Sequence, residues 1–71
     1  MSDIDETLFK AFKIFGSSPL ESYSKVSYKY YAVRKSVMNS TLPENLKMAK
    51  LKEIDELFGL ISEYYKKTGK I

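Results

Sequence analysis

The residues best suited to contact a partner lie between positions 25 and 35, where tyrosines alternate with cations. On a helical period, Tyr28, Tyr31 and Lys35 point away from the apolar stripe of the same segment, and Lys25 and Lys29 lie along its flank. The set predicted to bind a partner is Lys25, Tyr28, Lys29, Tyr31, Arg34 and Lys35. Tyrosine buries a large ring at low entropic cost and keeps a polar tip, which suits a protein interface. A solvated helix face with tyrosines lying along it is the simpler alternative.

The same segment allows a nucleic-acid interpretation. Its cations could contact phosphates while its tyrosines stack on bases. The net charge of +3 and the pI near 9.1 permit this role. However, Arg34 is the only arginine, and acidic residues are spread through the rest of the chain. The second hypothesis, after a protein partner, is therefore a small basic helical protein of phage or virus type that binds nucleic acid.

Catalysis is the function that the composition supports least. The chain has no histidine and no cysteine, which removes the usual general base, the thiol nucleophile and the commonest metal ligands. The acidic residues Glu53, Asp55 and Glu56 lack the spacing of a calcium loop and have lysines close by. The sequence predicts neither an enzyme nor a site for a metal or cofactor.

Length and composition indicate one small globular domain. The chain has 71 residues, of which 44% are hydrophobic, so residues 1–71 are expected to form a single unit. No apolar run is long enough for a membrane span, and the first residues are acidic, unlike a targeting peptide. A cytoplasmic protein is the expectation.

The first segment has the pattern of a short amphipathic helix. Its candidate N-caps are Ser2 and Asp3, and Gly16 is placed to end it. The apolar positions that share one face are Ile4, Leu8, Ala11, Phe12 and Phe15.

The second segment starts at one of two caps and ends near Met38. Residues 18–21 (Ser-Pro-Leu-Glu) have capping-box spacing, while Ser22 is an equally good cap. Its apolar stripe is Val26, Tyr30, Val33 and Val37.

The third segment gives the clearest helical pattern. Residues 41–44 (Thr-Leu-Pro-Glu) have capping-box spacing, and Gly69 is a candidate stop. The expected buried stripe is Leu51, Ile54, Phe58, Ile61 and Tyr65, with Leu57, Leu60 and Tyr64 beside it. Met38 and Met48 are predicted to fill gaps in the core. We expect an all-α, three-helix domain: an antiparallel hairpin of the two long helices with the shorter first helix packed across it.

The order of these landmarks resembles the J domain, the module by which J proteins engage seventy-kilodalton heat-shock chaperones. Residues 12–16 (Phe-Lys-Ile-Phe-Gly) are similar to the family's aromatic-Lys-Val-Leu-Gly, and Ser18 and Pro19 follow as in many members. Residues 50–62 (Lys-Leu-Lys-Glu-Ile-Asp-Glu-Leu-Phe-Gly-Leu-Ile-Ser) resemble its Lys-Phe-Lys-Glu-Ile-Asn-Glu-Ala-Tyr-Glu-Val-Leu-Ser. The resemblance covers residues 11–65 and implies a J-like helical fold.

The resemblance fails at the family's His-Pro-Asp tripeptide. An ungapped alignment of the second helix puts Met38, Asn39 and Ser40 there, so none of its residues is present. In the family this tripeptide stimulates ATP hydrolysis by the partner chaperone, and the basic face of the second helix meets the chaperone's acidic surface. The resemblance therefore implies a non-catalytic interaction module that binds or regulates a protein, such as a chaperone or a J protein, without stimulating its ATPase.

Overall fold

A computed structural model describes residues 6–71, which form three α-helices in the expected order. They are α1 (Glu6–Ile14), α2 (Tyr23–Met38) and α3 (Glu44–Lys67). The all-α, three-helix prediction is confirmed for this part of the chain. The predicted caps Ser2 and Asp3, and the apolar residue Ile4, lie outside the described residues.

Gly16 ends the first helical segment as predicted. Its φ of 62° is in the left-handed region, where glycine carries no Cβ penalty. The amide of Ser17 donates to the carbonyl of Phe12 at 3.0 Å, and that of Gly16 to the carbonyl of Lys13 at 3.0 Å. These two bonds form a Schellman motif, which satisfies carbonyls that the helix end would otherwise leave unpaired.

The structure decides between the two predicted starts of α2. Ser22 is the N-cap, and its hydroxyl accepts a hydrogen bond from the amide of Lys25 at 3.2 Å. Residues 18–21 form a turn ahead of the helix, in which the amide of Glu21 donates to the carbonyl of Ser18 at 3.1 Å. The capping-box alternative at residues 18–21 is therefore wrong as the helix start.

The predicted capping box at the start of α3 is wrong. Pro43 is the N-cap, with ψ at 150°, and no side chain caps the helix. Because Pro43 is extended, the helix cannot include it, and Glu44 becomes the first helical residue. Thr41 is then too far upstream to cap α3. The other end of α3 follows the prediction, since Gly69 has a φ of 70° and closes a second Schellman motif.

The two long helices run antiparallel. The hydroxyls of Tyr23, near the start of α2, and Ser62, near the end of α3, lie 2.8 Å apart. At the other end, the Lys47 ammonium donates to the carbonyl of Met38 at 3.0 Å. Between them, the rings of Tyr30 and Phe58 stack with centroids 4.2 Å apart. The first helix packs against the C-terminal half of α3, where the ring of Phe12 meets that of Tyr65 at 6.1 Å.

The hydrophobic core occupies only one end of this hairpin. Its buried members come from α1 and the residue after it, the first half of α2 and residues 54–65 of α3: Leu8, Ala11, Phe12, Phe15, Val26, Tyr30, Ile54, Ile61 and Tyr65. Val33, Val37, Leu57, Phe58 and Tyr64 are partly buried against it. Most of the described part of the expected stripes is thus confirmed. The exceptions are Leu51, which is half-buried outside this core, and Leu60, which is exposed.

At the opposite end of the hairpin, residues 6–71 supply no third layer. Met38 and Met48, predicted to fill core gaps, are 52% and 64% exposed. That prediction is wrong because α1 is too short to reach this end of the hairpin, so no helix covers these two side chains.

Among residues 6–71, none of the helices combines the length and apolar character needed to cross a bilayer.

Candidate functional site

The outward side of α2 presents two of the predicted tyrosines to solvent. Tyr28 is 77% exposed and Tyr31 65% exposed, because the buried side of the helix is set by Val26 and Tyr30. The ring of Tyr31 leans on that of Tyr30, with centroids 4.9 Å apart. This contact fixes one exposed ring against the core without covering it. Exposed aromatic rings held in place are suited to bury area against a partner at little further entropic cost.

The Lys29 side chain is held within the fold. Its ammonium donates to the carbonyl of Gly16 at 2.8 Å and lies 3.0 Å from both carboxylate oxygens of Glu21. It thereby ties α2 to the glycine turn that ends the first helical segment. A charge-assisted bond of this kind is stronger than a neutral one, so Lys29 is less available to a partner than a free lysine.

Glu21 is the centre of this network. Its carboxylate accepts hydrogen bonds from the hydroxyl of Ser17 and from the amide of Ser18, the latter at 3.1 Å. The Ser17 hydroxyl, followed by the Lys29 ammonium, lowers the pKa of this carboxyl from 4.5 to about 2. The Glu21 carbonyl also accepts a bond from the Tyr65 hydroxyl at 2.6 Å, which connects the loop to α3.

Arg34 faces α3. Its guanidinium lies 3.3 Å from Asp55 Oδ1, and the Tyr30 hydroxyl donates to the same oxygen at 2.5 Å. These two donors, Tyr30 first, lower the pKa of the Asp55 carboxyl. Burial, followed by the hydrogen bond to Asp55, raises the pKa of Tyr30, so its hydroxyl stays protonated and keeps donating. Arg34 is therefore occupied in joining the two long helices.

Four of the predicted residues remain on the solvent side of α2 and form what we call the α2 face: Lys25, Tyr28, Tyr31 and Lys35. Lys25 is 3.9 Å from Glu21, and its side chain is 65% exposed, so this ion pair holds it only weakly. No acidic residue occurs anywhere in the 16 residues of α2. The α2 face is thus positive and aromatic, and it can offer an acidic surface both charge and ring contacts.

Met38, Asn39 and Ser40 lie where the chain leaves α2. Met38 is the last helical residue and Asn39 the C-cap. The Ser40 hydroxyl donates to the carbonyl of Val37 at 2.6 Å, and the Arg34 guanidinium donates to the Met38 sulfur at 3.5 Å. Two of the three side chains are thus engaged with the end of α2 itself, and none of the three carries a group that exchanges protons near neutral pH.

Two shallow grooves at the uncovered end of the hairpin were missed by the sequence reasoning. One, of about 480 Å³, is lined by Arg34, Met48, Leu51, Lys52, Asp55 and Glu56. The other, of about 340 Å³, is lined by Leu42, Leu46, Ala49, Lys50 and Glu53. Their signal in the sequence is the set of apolar residues scattered over positions 42–51, which are Leu42, Leu46, Met48, Ala49 and Leu51. Whether these residues are exposed depends on how far α1 reaches, which their own composition does not determine.

The acidic residues of α3 do not assemble around a common point. Asp55 is directed to Arg34, and among residues 6–71 no group of three acidic side chains is placed to hold a metal ion. The positive α2 face is therefore the strongest candidate site for a partner. Comparison of the chain with models of protein families, with curated proteins and with solved structures found no match, so the J-domain resemblance stays a hypothesis drawn from the sequence.

Proposed function

We propose that this chain is a non-catalytic protein-interaction module that binds an acidic surface of a partner protein through the α2 face. The observation that carries the proposal is the exposure of Tyr28 and Tyr31 between two solvent-accessible lysines on a helix without acidic residues. Tyrosine rings supply the area that such an interface buries, while Lys25 and Lys35 steer an acidic partner and reject a basic one.

The resemblance to J domains names the first partners to test. In that family the basic face of the second helix meets a chaperone's acidic surface, and the α2 face is the part of this chain that corresponds to it. A seventy-kilodalton heat-shock chaperone, or a J protein that works with one, is the partner we propose, in the cytoplasm. Because Met38, Asn39 and Ser40 replace His-Pro-Asp, we propose that binding occurs without stimulation of ATP hydrolysis.

The first experiment measures the chaperone's steady-state ATPase with this chain alone, with an active J protein, and with both. We expect no stimulation by the chain alone and a dose-dependent decrease of the stimulation caused by the J protein. Stimulation by the chain alone would show that the ATPase-activating function is not lost. No effect on the J protein's stimulation, together with no binding to the chaperone or the J protein by calorimetry, would remove both as partners.

Two variants test whether the α2 face makes the contact. Lys25→Glu/Lys35→Glu reverses its free charges, and Tyr28→Ala removes its most exposed ring; each should weaken binding by about tenfold, or about 1.4 kcal/mol. The matched control, Lys10→Glu/Lys67→Glu, makes the same change of charge at exposed lysines of α1 and α3. Equal weakening by the control would mean that net charge, and not the α2 face, governs binding.

Nucleic acid is the alternative, and two of the cations it would use are engaged in the fold. Lys29 is bonded to Glu21 and Arg34 to Asp55, which leaves Lys25 and Lys35 for phosphates. A salt titration of binding to random-sequence duplex DNA tests it, since each phosphate contact steepens the loss of affinity with salt. Steep, salt-sensitive binding to the duplex, with none to the chaperone or J protein, would favour the alternative over our proposal.

A further inference from the structure

Between residues 46 and 57, α3 has one side that the rest of the described chain covers only at its last position, where Leu57 packs against the core. On the helical period, this side carries a row of residues spaced by four, three and four positions, which we call the outer stripe: Leu46, Lys50, Glu53 and Leu57. The groove of about 340 Å³ is lined by the first three of these residues, together with Leu42 and Ala49. Farther along the helix, α1 occupies the neighbouring position, where Phe12 meets Tyr64 with ring centroids 6.0 Å apart.

The outer stripe is apolar at its ends and charged in its middle. Leu46 is 52% exposed, while Leu57 is half-buried against the core. Lys50 and Glu53 are exposed, and neither makes an ion pair with any residue of the described chain. An exposed leucine and a half-buried one beside unpaired charges of both signs on one helix side are typical of a surface that packs against another helix.

The outer stripe is self-complementary. When a second α3 is laid antiparallel on it, Leu46 meets Leu57 of the second copy, and Lys50 meets Glu53. The two-fold axis repeats both contacts, as an isologous interface requires. We propose that two copies of this chain associate through the outer stripe, with residues 46–57 of their α3 helices antiparallel.

The charge pattern favours a second copy over an unrelated helix. A uniformly basic partner helix would be repelled by Lys50, and a uniformly acidic one would be repelled by Glu53. A second copy placed antiparallel pairs each of these charges with an opposite one. Ala49 beside the stripe lets two backbones approach closely. Leu42 and Leu60 are exposed apolar residues beside the stripe, and they enlarge the contact area only slightly. We therefore expect a weak dimer with a dissociation constant of roughly 10–1,000 µM.

The proposed dimer is independent of the α2 face. The contacts that hold α2 are on the other flank of α3, at Asp55 and Ser62. The outer stripe can therefore pair while Tyr28 and Tyr31 stay accessible in both copies. A dimer would present two α2 faces, which raises the apparent affinity for a partner with repeated acidic sites.

The experiment is sedimentation equilibrium of the whole chain over a concentration series into the millimolar range. We expect a reversible monomer–dimer equilibrium for the natural sequence. Lys50→Glu sets carboxylates against carboxylates across the axis, and Glu53→Lys sets ammonium groups against ammonium groups. Each single variant should weaken dimerisation by at least about tenfold, because two attractive contacts become repulsive.

Two combinations test the antiparallel pairing specifically. The double variant Lys50→Glu/Glu53→Lys restores opposite charges at both contacts, and an equimolar mixture of the two single variants does so in a heterodimer. Both should recover dimerisation to within about threefold of the natural chain. Lys52→Glu, an exposed lysine off the stripe, is the control for charge, and it should leave the equilibrium within the same range.

Monomeric behaviour of the natural chain throughout the series would overturn the proposal and leave the outer stripe to a different protein. Dimerisation that neither combination recovers would also overturn it, since another surface would then be responsible. Circular dichroism of every variant confirms that helix content is unchanged, so that loss of the dimer is not loss of the fold.

Discussion

The hydroxyl of Tyr65 connects the third helix to the loop between the first two, and removing it should destabilise the whole domain. The side chain is fully buried, and its hydroxyl donates to the Glu21 carbonyl at 2.6 Å. Its ring packs between those of Phe12 and Tyr23, with centroids 6.1 and 5.4 Å away. The variant Tyr65→Phe keeps the ring and removes only the hydrogen bond. Burial raises the pKa of Tyr65, so the hydroxyl is present as a donor around neutral pH.

The expected loss of stability depends on both the donor and the acceptor of this hydrogen bond. An intramolecular hydrogen bond contributes about 1 kcal/mol net, and a buried acceptor left without a partner costs more. Because Glu21 is only half-buried, water can partly replace the lost donor. We therefore expect a decrease of about 1–2 kcal/mol in the free energy of unfolding. In a domain of this size, each kcal/mol lowers the melting temperature by roughly 4–8 °C.

The matched control is Tyr64→Phe at the neighbouring position. Tyr64 is partly buried, and no side-chain hydrogen bond of its hydroxyl is found among the described residues. Its substitution should change the unfolding free energy by less than about 0.5 kcal/mol. Both variants and the natural chain are compared by urea unfolding followed by far-UV circular dichroism. Equal losses in the two variants, or no loss in Tyr65→Phe, would refute the role assigned to the bond.

Three further substitutions probe the loop and two of the glycines. Glu21→Gln removes a carboxyl group whose pKa is lowered from 4.5 to about 2 in the folded chain. A lowered pKa means that the ionised carboxylate stabilises the fold fully at pH values above 4.5. This stabilisation is lost as the pH falls from about 5 towards 2. The difference in melting temperature between the natural chain and this variant should therefore shrink across that window, and a constant difference would contradict the assignment. Gly59→Ala lies inside α3 with no atom near the added carbon, so it should stabilise by about 0.5–1 kcal/mol. At Gly16 the added carbon also meets open space, but alanine would have to adopt a φ of 62°, so Gly16→Ala should lower the free energy of unfolding by about 1 kcal/mol. Urea unfolding midpoints that move in the same direction for both glycine variants would contradict these predictions.

The helices and most of the described core could be predicted from the sequence because their causes are local. Apolar residues that recur every three or four positions define one side of a helix, and burial follows for Phe12, Val26 and Ile61. Glycine at 16 and 69 ends a helix for a reason that lies in its own backbone. The start of α3 could not be predicted as well, because an extended Pro43 removed the cap that the spacing of Thr41 and Glu44 had suggested.

The candidate site was predicted as a segment but not residue by residue. Nothing in the local sequence of α2 distinguishes its cations from one another. In the folded chain, however, Lys29 is bound to Glu21 and Arg34 to Asp55. Asp55 lies 21 positions away along the chain from Arg34, so helical spacing within α2 carries no trace of that pair. Which cations remain free for a partner is decided only when the helices pack.

The sequence by itself determined an all-helical domain with an aromatic core and a second helix rich in cations and tyrosines. The tertiary structure decided which ends of the helices are covered. Because α1 is short and packs over the second half of α3, Met38, Met48 and Leu46 stay exposed despite their apolar side chains. Helical periodicity records which side of a helix is apolar, whereas exposure depends on whether another helix reaches that side.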